Sequence, residues 1–476
     1  MIAGLYLSAA HKSSGKTTVA VGLCAALSAR GLIVQPYKKG PDYIDPLWLT
    51  KAAGRPCYNL DFHTMEAEEI DNCFRTEAVG ADILVVEGNK GLFDGVAVDG
   101  SNSNAALAHQ LKTPVVLVLD AKGVSRGVAP LVLGYRHFDP SLSIAGVILN
   151  RVASARHEAK LRAVLETYTD VPVLGAVRES LDFTITERHL GLVPSGEWGG
   201  ADVLIARLAR AIEDSVDVTA LAALEVGSQC GSDRAPTRPA PQNLRLGIAR
   251  DAAFSFYYPG DLAALERLGA ELVFFDTLHD PCIPAVDALF IGGGFPETQA
   301  PLLSANVSMR ASIRAAIENG LPAYAECGGL MYLSQSLTWH EQTYPMAGVV
   351  PGRVVMEERP VGHGYMVLRP TAAHPWAWGA PRTESPMPAH EFHYSRLVDL
   401  GPQAQFAFTV ERGHGIDGHY DGLIYKNLVA QYAHLRDVKA CPWTERFMNF
   451  AAHCRGRLHE ASRVDGKERE PCENSL

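Results

Sequence analysis

The segment that most constrains the fold is an apolar run followed at once by a small-residue turn and a helix-like stretch. Residues 4–7 precede the turn at 11–18, and Lys16–Arg30 has the composition of a helix. Backbone N–H groups at a helix N-terminus point toward bound phosphate, and the helix dipole favours the anion. The segment therefore predicts a phosphate-binding loop for ATP. The loop residues expected to contact the nucleotide are Ser13, Ser14, Gly15, Lys16, Thr17 and Thr18.

Within this loop we expect Lys16 at the terminal phosphates and the Thr17 hydroxyl beside Mg²⁺. Ala10 stands where the usual pattern has its first glycine, so the Gly-Lys-Thr tripeptide by itself is also compatible with a chance match. Its position directly after a strand favours the phosphate loop.

Apolar strand-like runs alternate with helix-like segments as far as about residue 224. Fully apolar strands that alternate with helices indicate a parallel sheet covered on both faces. We therefore predict a doubly wound α/β fold with a P-loop in this half. The predicted strands are Gly4–Ser8, Leu32–Tyr37, Asp82–Glu87, Pro114–Asp120, Ile144–Leu149 and Val171–Val177.

A length of 476 residues exceeds what a single core usually supports, so two domains are expected. Residues 226–243 are rich in Pro, Ser and Gly and are predicted to be a linker. We assign 1–225 to the ATP-dependent domain, 244–455 to a second α/β domain and 456–476 to a charged, frayed tail. The second domain is predicted to contain strands Arg245–Ala249, Glu271–Asp276, Asp287–Ile291 and Pro322–Tyr324 and a helix at Pro259–Leu268.

Acidic side chains follow two of the predicted strands in the first domain. Asp42 and Asp45 come just after the second strand, Glu87 ends the strand Asp82–Glu87, and Asp94 follows it. Carboxylates at the carboxyl ends of parallel strands point toward the ligand edge, where Mg²⁺ needs oxygen ligands. Asp42 and Asp45 are also compatible with a simple role in turns beside proline.

Asn150 ends another predicted strand, and its amide can pair with adenine. A capping or turn role for Asn150 stays open.

Cys327 lies between a short strand and the helix-like Leu330–Ser334, in the sequence Ala-Glu-Cys-Gly-Gly-Leu. A sharp strand–turn–helix elbow exposes a nucleophile, and a helix N-terminus or a neighbouring histidine favours the thiolate. Gly293 and Gly294 follow another strand and are candidates for the oxyanion hole. His434, after an apolar run, is the favoured base, with His393 as its competitor.

Composition limits the partners and the compartment. The net charge of −10 gives no reason to expect nucleic acid or an anionic membrane surface. No apolar run approaches the roughly 20 residues that span a bilayer. Because a strand-like segment begins almost at the N-terminus, we expect no signal peptide. Nine scattered cysteines without a C-x-x-C pair fit a reducing cytoplasm.

With these motifs the chain resembles the cobyrinic acid, or hydrogenobyrinic acid, a,c-diamide synthase family of cobalamin biosynthesis. The segments that carry the resemblance are residues 13–17, 39–46, 86–88, 91–95, 292–297 and 325–330, together with His434. The resemblance implies an N-terminal domain similar to dethiobiotin synthetase and a C-terminal class I glutamine amidotransferase domain. It also implies amidation of the a and c acetate carboxylates through acyl phosphates, with ATP and L-glutamine as cosubstrates and a corrinoid as substrate. We also expect a homodimer.

The resemblance assigns roles to individual residues. Cys327 would be the glutaminase nucleophile and His434 the residue that activates it, while Asp45 and Asp94 would take part in substrate activation. Mg²⁺ would be held by Thr17, Asp42 and Glu87, and ATP would be bound by the phosphate loop with Lys38 and Asn150. Many class I amidotransferases have Glu two residues after the histidine, where this chain has Arg436. The group that orients His434 is therefore open.

Three other activities compete with this interpretation. Cobyric acid synthase and nickel-sirohydrochlorin a,c-diamide synthase share the fold group, and the sequence G-P-D-Y-I-D at 40–45 disfavours the former. A partitioning-type switch ATPase is the rival from another class, and such proteins normally have no glutaminase domain.

Overall fold

The computed structural model describes residues 2–180, 187–188, 191–227, 243–376 and 386–465. The chain divides into two compact units, Met1–Ala235 and Pro236–Leu476. Residues 228–242 of the predicted linker and 466–476 of the predicted tail lie outside the described ranges, so the domain boundaries stay a prediction. None of the helices in those ranges has the length and apolar character needed to cross a membrane.

The first unit contains ten strands and eight helices within its described ranges. The strands are β1 Ile2–Ala9, β2 Val34–Lys39, β3 Tyr58–Leu60, β4 Ile83–Glu87, β5 Val115–Asp120, β6 Ile144–Val152, β7 Val173–Arg178, β8 Glu187–Arg188, β9 Gly191–Leu192 and β10 Glu225–Val226. The helices are α1 Lys16–Ala29, α2 Ile44–Ala53, α3 Ala67–Glu77, α4 Asn104–Leu111, α5 Val128–Phe138, α6 Ala155–Tyr168, α7 Ala201–Ser215 and α8 Val218–Ala222.

The main sheet of this unit has the order β3-β2-β4-β1-β5-β6-β7, and all of these neighbours are parallel. The short β10 adds an antiparallel partner to β1. Strand β1 lies in the middle of the sheet, between β4 and β5. Strands β2 to β4 are placed on one side of it, and strands β5 to β7 on the other. Ligands of doubly wound sheets bind at the carboxyl ends of strands near such a reversal. The predicted parallel fold is confirmed, and the phosphate loop follows its central strand.

Helix α1 packs closely against α7 because of one glycine. A Cβ at Gly22 would lie 2.7 Å from the Cγ1 atom of Ile212 and 3.0 Å from the carbonyl oxygen of Leu208. On α7 the buried Leu204, Leu208 and Ile212 recur at spacings of four residues, which places them on one helix face. This contact fixes the helix that begins at the phosphate loop.

The second unit contains thirteen strands and five α-helices in the part of the chain that is described. The strands are β11 Leu244–Ala249, β12 Ala270–Phe275, β13 Ala288–Ile291, β14 Ala323–Glu326, β15 Ser336–Trp339, β16 Gln342–Pro345, β17 Arg353–Met356, β18 Gly362–Pro370, β19 Met387–His393, β20 Ser395–Val398, β21 Gln405–Arg412, β22 Tyr420–Tyr425 and β23 Leu428–Gln431. The helices are α9 Pro259–Arg267, α10 Ala300–Ala305, α11 Val307–Glu318, α12 Gly328–Leu333 and α13 Trp443–Asp465, with a 3-10 turn at Pro296–Gln299.

The large sheet of the second unit changes character half-way across. Its order is β12-β11-β13-β14-β23-β22-β21-β18-β19, with parallel pairs from β12 to β23 and antiparallel pairs beyond. A smaller sheet has the order β16-β15-β17-β20. The buried core between sheet and helices includes Ile291, Ile313 and Leu330. The adjacent ends of β13, β14 and β23 therefore carry the glycine turn, the cysteine and the histidine.

One expectation about this unit is corrected. Helix α13 continues to Asp465, although a frayed tail was expected from residue 456. Charged residues do not by themselves argue against a helix, because Glu and Arg are good helix formers.

Candidate active sites

Asn150, near the carboxyl end of β6, supports the backbone of the phosphate loop. Gly15 caps α1 in the left-handed conformation with φ 82°, and a Cβ there would lie 2.1 Å from Asn150 Nδ2. Asn150 Nδ2 donates to the carbonyl oxygen of Ser14 at 2.9 Å, and Ser14 Oγ donates to the carbonyl oxygen of His11 at 2.8 Å. Asn150 thus supports the loop backbone, and recognition of adenine by it stays a prediction.

Lys38 is buried among the carboxylates predicted from the sequence. Its Nζ atom lies 2.5 Å from Asp45 Oδ2, 3.3 Å from Glu87 Oε1 and 3.8 Å from Asp42 Oδ2. Thr17 Oγ1 donates to Glu87 Oε1 at 2.6 Å and lies 3.2 Å from Asp45 Oδ2. Burial acts to lower the pKa of Lys38, but Asp45 and Glu87 outweigh it and raise that pKa, so the ammonium stays charged. The structure thus brings together Thr17, Lys38 and the three acids.

Asp42 also has the turn role that was considered as an alternative. Its Oδ1 atom accepts the backbone N–H groups of Ile44 and Asp45 at 2.9 and 3.2 Å, at the start of α2. Burial, with the charge of Asp45 added, raises the pKa of Asp42 to about 7. The turn contacts and the contact with Lys38 use different oxygens of the same carboxylate.

Lys16 is the first residue of α1, and Asp94 lies on a loop that contacts the phosphate loop. Lys16 is 8% exposed, and burial together with the charge of Lys38 lowers its pKa. Asp94 is exposed and accepts the N–H of Gly91 through Oδ2 at 2.9 Å. A Cβ at Gly91 would lie 2.6 Å from the carbonyl oxygen of Ala10, so the Asp94 loop contacts the beginning of the phosphate loop. Ser13 and Thr18 flank Lys16 in the loop and in α1.

Two buried asparagines that the sequence analysis did not single out hold these loops. Asn104 Nδ2 donates to the carbonyl oxygens of Asn89 and Gly91 at 2.5 and 2.6 Å. Asn59 Nδ2 donates to the carbonyl oxygens of Gly40 and Asp42 at 2.8 and 2.7 Å. No sequence signal marks them, because both act through backbone atoms that are distant in the chain.

Cys327 stands at a strained elbow between β14 and α12. Its backbone has φ 46° and ψ −100°, a region that non-glycine residues rarely adopt. The Cys327 N–H donates to the carbonyl oxygen of Gln431 at 2.7 Å, and the residue is 5% exposed. A Cβ at Gly329 would lie 2.2 Å from the carbonyl oxygen of Ile291. The glycine therefore allows the tight turn that aims the cysteine side chain.

His434 is the histidine that lies against Cys327. Its Nδ1 atom is 3.4 Å from Glu326 Oε2, which leaves Nε2 for the thiol. Burial acts to lower the pKa of His434, but its hydrogen bond to Cys327 and the negative neighbours Cys327 and Glu326 raise it to about 10. This arrangement can hold a thiolate beside an imidazolium.

The competing His393 has different partners. Its Nδ1 atom lies 2.9 Å from the carbonyl oxygen of Ser395, and its Nε2 atom lies 3.4 Å from Glu391 Oε2. Its ring stacks on Tyr432 at 3.8 Å. His393 therefore belongs to a neighbouring buried cluster.

The glycine turn after β13 packs against this elbow. A Cβ at Gly293 would lie 2.5 Å from His434 Cε1, and a Cβ at Gly294 would lie 2.0 Å from the carbonyl oxygen of Ala253. The backbone nitrogen of Gly294 is 3.1 Å from the Cβ position of Gly328. Gly293 and Gly294 thus border the cysteine, and their oxyanion role stays a prediction.

Curated relatives match nearly the whole chain. A cobyrinate a,c-diamide synthase of Magnetococcus marinus is 46% identical, over 94% of this chain and 96% of that protein. The chain belongs to this synthase family. Proteins of the same name from Archaeoglobus fulgidus and Methanosarcina acetivorans are 40% and 39% identical, over 92% and 91% of this chain and 95% and 92% of their own lengths.

The domain comparisons agree with the two sites. Residues 9–193 match the CobQ/CobB/MinD/ParA nucleotide binding domain, and residues 245–437 match the CobB/CobQ-like glutamine amidotransferase domain. A solved glutamine amidotransferase structure aligns with 44% of this chain and 98% of that chain, at 17% identity and a TM-score of 0.33. That likeness is too low to bear on the fold. The family thus combines the two chemistries that the two halves of this sequence predict.

Proposed function

We propose that this chain catalyses the ATP- and glutamine-dependent amidation of the a and c acetate carboxylates of cobyrinic or hydrogenobyrinic acid in cobalamin biosynthesis. One observation carries the proposal: a chain of this family has a phosphate loop with clustered Lys38 and carboxylates, and a Cys327–His434 pair. One site activates a carboxylate and the other releases ammonia.

The Cys327 centre opens the glutamine amide. The thiolate attacks the side-chain carbonyl, and the carbonyl oxygen becomes negatively charged beside the turn of Gly293 and Gly294. The His434 imidazolium gives its proton to the departing nitrogen, so ammonia leaves and a thioester remains. Neutral His434 then takes a proton from water, which attacks the thioester; glutamate leaves, and the thiolate and the imidazolium are restored.

The first unit prepares the acceptor carboxylate. A carboxylate resists attack by ammonia because it is already negative and lacks a good leaving group. Transfer of the γ-phosphoryl group of ATP gives an acyl phosphate and ADP, while Lys16 and Lys38 stabilise the developing charge. Ammonia then replaces phosphate to form the amide. Asp45 and Asp94 are proposed to take part in substrate activation, since both lie beside the phosphate loop.

The residues present fit Mg²⁺ as the ion that accompanies ATP. The Thr17 hydroxyl donates to Glu87 Oε1. The other oxygen of this carboxylate, Oε2, is buried and accepts no hydrogen bond from any described residue. Within the described ranges, no group of three or more His, Cys, Asp or Glu side chains is arranged for a metal. Mg²⁺ is often bound by one or two carboxylates together with substrate phosphates. Thr17, Glu87 and Asp42 would hold the ion, which supplies charge neutralisation at the phosphates.

The test compares two nitrogen sources in the full-length enzyme. Cys327→Ala is expected to abolish amidation with glutamine and to keep amidation with ammonium, as measured by mass spectrometry of the macrocycle. Two successive exchanges of a hydroxyl for an amino group identify the reaction. Equal loss with both nitrogen sources would contradict separate sites.

The choice of macrocycle is tested with metal-free corrinoid, cobalt-loaded corrinoid and sirohydrochlorin. Turnover of only the sirohydrochlorin would favour the related nickel-sirohydrochlorin enzyme, and absence of any glutamine turnover would favour a switch ATPase. We further propose a homodimer in the cytoplasm, which sedimentation and fractionation of cells would test.

A further inference from the structure

The position that commonly supplies a carboxylate behind the catalytic histidine does not do so in this chain. Arg436, two residues after His434, is buried, and its guanidinium carbon lies 5.0 Å from the centre of the Tyr258 ring. A positive side chain at that position cannot hold an imidazolium. The carboxylate must come from another element if one is used.

We propose that Glu326, the residue directly before the nucleophile, is the positioning residue of His434. The inference rests on the glutaminase half of the proposed function. The carboxylate comes from the end of β14, and the imidazole follows β23, its parallel neighbour. Glu326 and Gln431 are register partners in that pair, so the end of β14 lies beside the chain that continues to His434.

The two oxygens of Glu326 have different neighbours. Oε1 accepts the Tyr324 hydroxyl at 2.5 Å and the backbone N–H of Leu435 at 2.9 Å. Oε2 lies 3.4 Å from Nδ1 of His434, at an ion-pair distance longer than a charge-assisted hydrogen bond. Such contacts in substrate-free enzymes often tighten when substrate binds. One oxygen therefore anchors the side chain, and the other faces the imidazole.

The anchor is itself buried and hydrogen-bonded. The Tyr324 hydroxyl accepts Gln431 Nε2 at 2.9 Å, and the same nitrogen donates to the carbonyl oxygen of Ala433 at 2.9 Å. Tyr324 and Gln431 have no exposed surface, and Glu326 is 3% exposed. A carboxylate in such surroundings has few rotamers available, so it holds the orientation of the histidine.

The charged and titratable neighbours of His434 are on three other elements. Cys327 and Glu326 adjoin β14, the ring of His390 on β19 stacks on His434 at 4.9 Å, and Tyr258 before α9 lies 3.4 Å from His390 Nδ1. Cys327 and Glu326 can each carry the negative charge that favours the imidazolium. Glu326 does so without reacting, and it also directs Nδ1 away from the thiol.

Glu326→Gln separates this role from simple support. The amide oxygen of glutamine can still accept the Tyr324 hydroxyl and the Leu435 N–H. Its NH₂ group would then face Nδ1, which removes the negative charge and disfavours the proton there. A purely structural role would largely survive this change.

The experiment measures glutaminase activity of the full chain as a function of pH. The His434 pKa near 10 lies above its ordinary value, so the imidazolium is present at neutral pH and is lost as the pH rises through about 10. Glu326→Gln is expected to lower kcat at least about tenfold with little change in KM. The alkaline limb should move down by at least about one pH unit, because a negative neighbour is lost. Amidation with ammonium should persist.

Glu391→Gln is the matched control. Glu391 is equally buried, accepts the backbone N–H groups of His414 and Gly415, and lies 3.4 Å from His393. We expect the alkaline limb of the glutaminase pH profile of Glu391→Gln to stay at the wild-type pH. An unchanged limb in Glu326→Gln, or the same shift in both variants, would overturn the proposal.

A folding failure would not leave the question open. If Glu326→Gln does not fold, Glu326→Asp is tested instead, because it keeps the negative charge but moves it away from His434 by one methylene. The alkaline limb of its glutaminase pH profile must then move down, while ammonium-dependent amidation persists. An unmoved limb in that variant rejects Glu326 as the positioning residue. Absence of macrocycle amidation by the wild-type protein would instead refute the proposed function. The pH profiles of glutaminase activity would still test the role of Glu326.

Discussion

The residue that shows most clearly how backbone geometry serves chemistry is Gly293. The space that its missing side chain leaves is filled by the ring of His434, with 2.5 Å between the Cβ position and Cε1. Real Cβ atoms do not approach other atoms so closely, so any side chain at this position must displace the imidazole or the turn.

Gly293→Ala is expected to lower glutaminase activity roughly a hundredfold, because a small displacement of a catalytic group is costly. Ammonium-dependent amidation is expected to remain. The control is Gly260→Ala at the start of α9, where a Cβ would meet nothing within 4 Å. Steady-state kinetics with glutamine check both variants, and normal turnover by Gly293→Ala would show that the turn yields without moving the imidazole.

Lys38 offers a prediction about stability. It is a buried cation among three carboxylates, and removal of one partner of a buried ion pair leaves uncompensated charge. Lys38→Met should lower the free energy of unfolding by about 3 kcal/mol, measured by urea denaturation. Mg²⁺ should stabilise this variant more than wild type, because the ion replaces the missing positive charge.

The control for Lys38 is an exposed ion pair of the same unit. Lys122 Nζ lies 2.7 Å from Glu179 Oε1, with 63% of the lysine side chain exposed. Lys122→Met should change the free energy of unfolding by less than about 1 kcal/mol. Equal losses in the two lysine variants would refute the account of the buried cluster.

At the scale of elements, Asp421 at the start of β22 pins the segment that leads from β23 to His434. Its carboxylate accepts the backbone N–H groups of Gly422, Tyr432 and Ala433 at 2.9, 3.0 and 2.9 Å. The residue has no exposed surface, so bulk water does not reach the three N–H groups that it satisfies.

Asp421→Ala should therefore lower the free energy of unfolding by about 3 kcal/mol, since three buried donors lose their acceptor. Glutaminase activity should fall more than ammonium-dependent amidation, because the segment carrying His434 loosens. Asp417→Ala is the control: that exposed carboxylate accepts the N–H groups of His419 and Tyr420, which water can satisfy. Thermal unfolding and paired activity assays distinguish the two variants.

Most of the buried parallel strands were predictable to within three residues at each end, because an apolar run bounded by turns has one simple explanation. The short parallel strand β3 at Tyr58–Leu60 was not predicted. The predicted Asp82–Glu87 corresponds to β4 at Ile83–Glu87. No strands were predicted between residues 336 and 425, where eight of the strands in the described ranges lie. Many of these are half exposed, as in β18, and pair with strands distant in the chain, so short apolar runs do not reveal them.

At the scale of the whole molecule, we expect that a substitution can abolish ATP-dependent amidation without abolishing glutamine hydrolysis. Lys16→Ala should abolish amidation with either nitrogen source, because the phosphates of ATP lose a buried cation. Glutamine hydrolysis should continue in this variant. Glutamate release and mass spectrometry of the macrocycle, measured on the same preparation, test this pattern, and loss of both activities would contradict it.

The sequence predicted the two sites better than the contacts within them. Lys16, Cys327 and His434 belong to motifs whose residue types are required by the chemistry, so they are visible without a fold. The partnership of Glu326 with His434 depends on the register of β14 against β23, which no local pattern specifies. Asn104 and Asn59 could not be predicted either, because they donate to backbone carbonyl groups that are distant in the chain.

The adjacency of Glu326 and Cys327 on one strand end has a practical consequence for protein engineering. Nucleophile, carboxylate and imidazole come from two neighbouring strands, so a transplant of this centre requires one parallel pair with its alignment kept. A slip of two residues between those strands would keep every side chain on its original face and still separate the histidine from both of its partners. Alignment of two strands, rather than the identity of the surrounding scaffold, is the property that a designer must preserve.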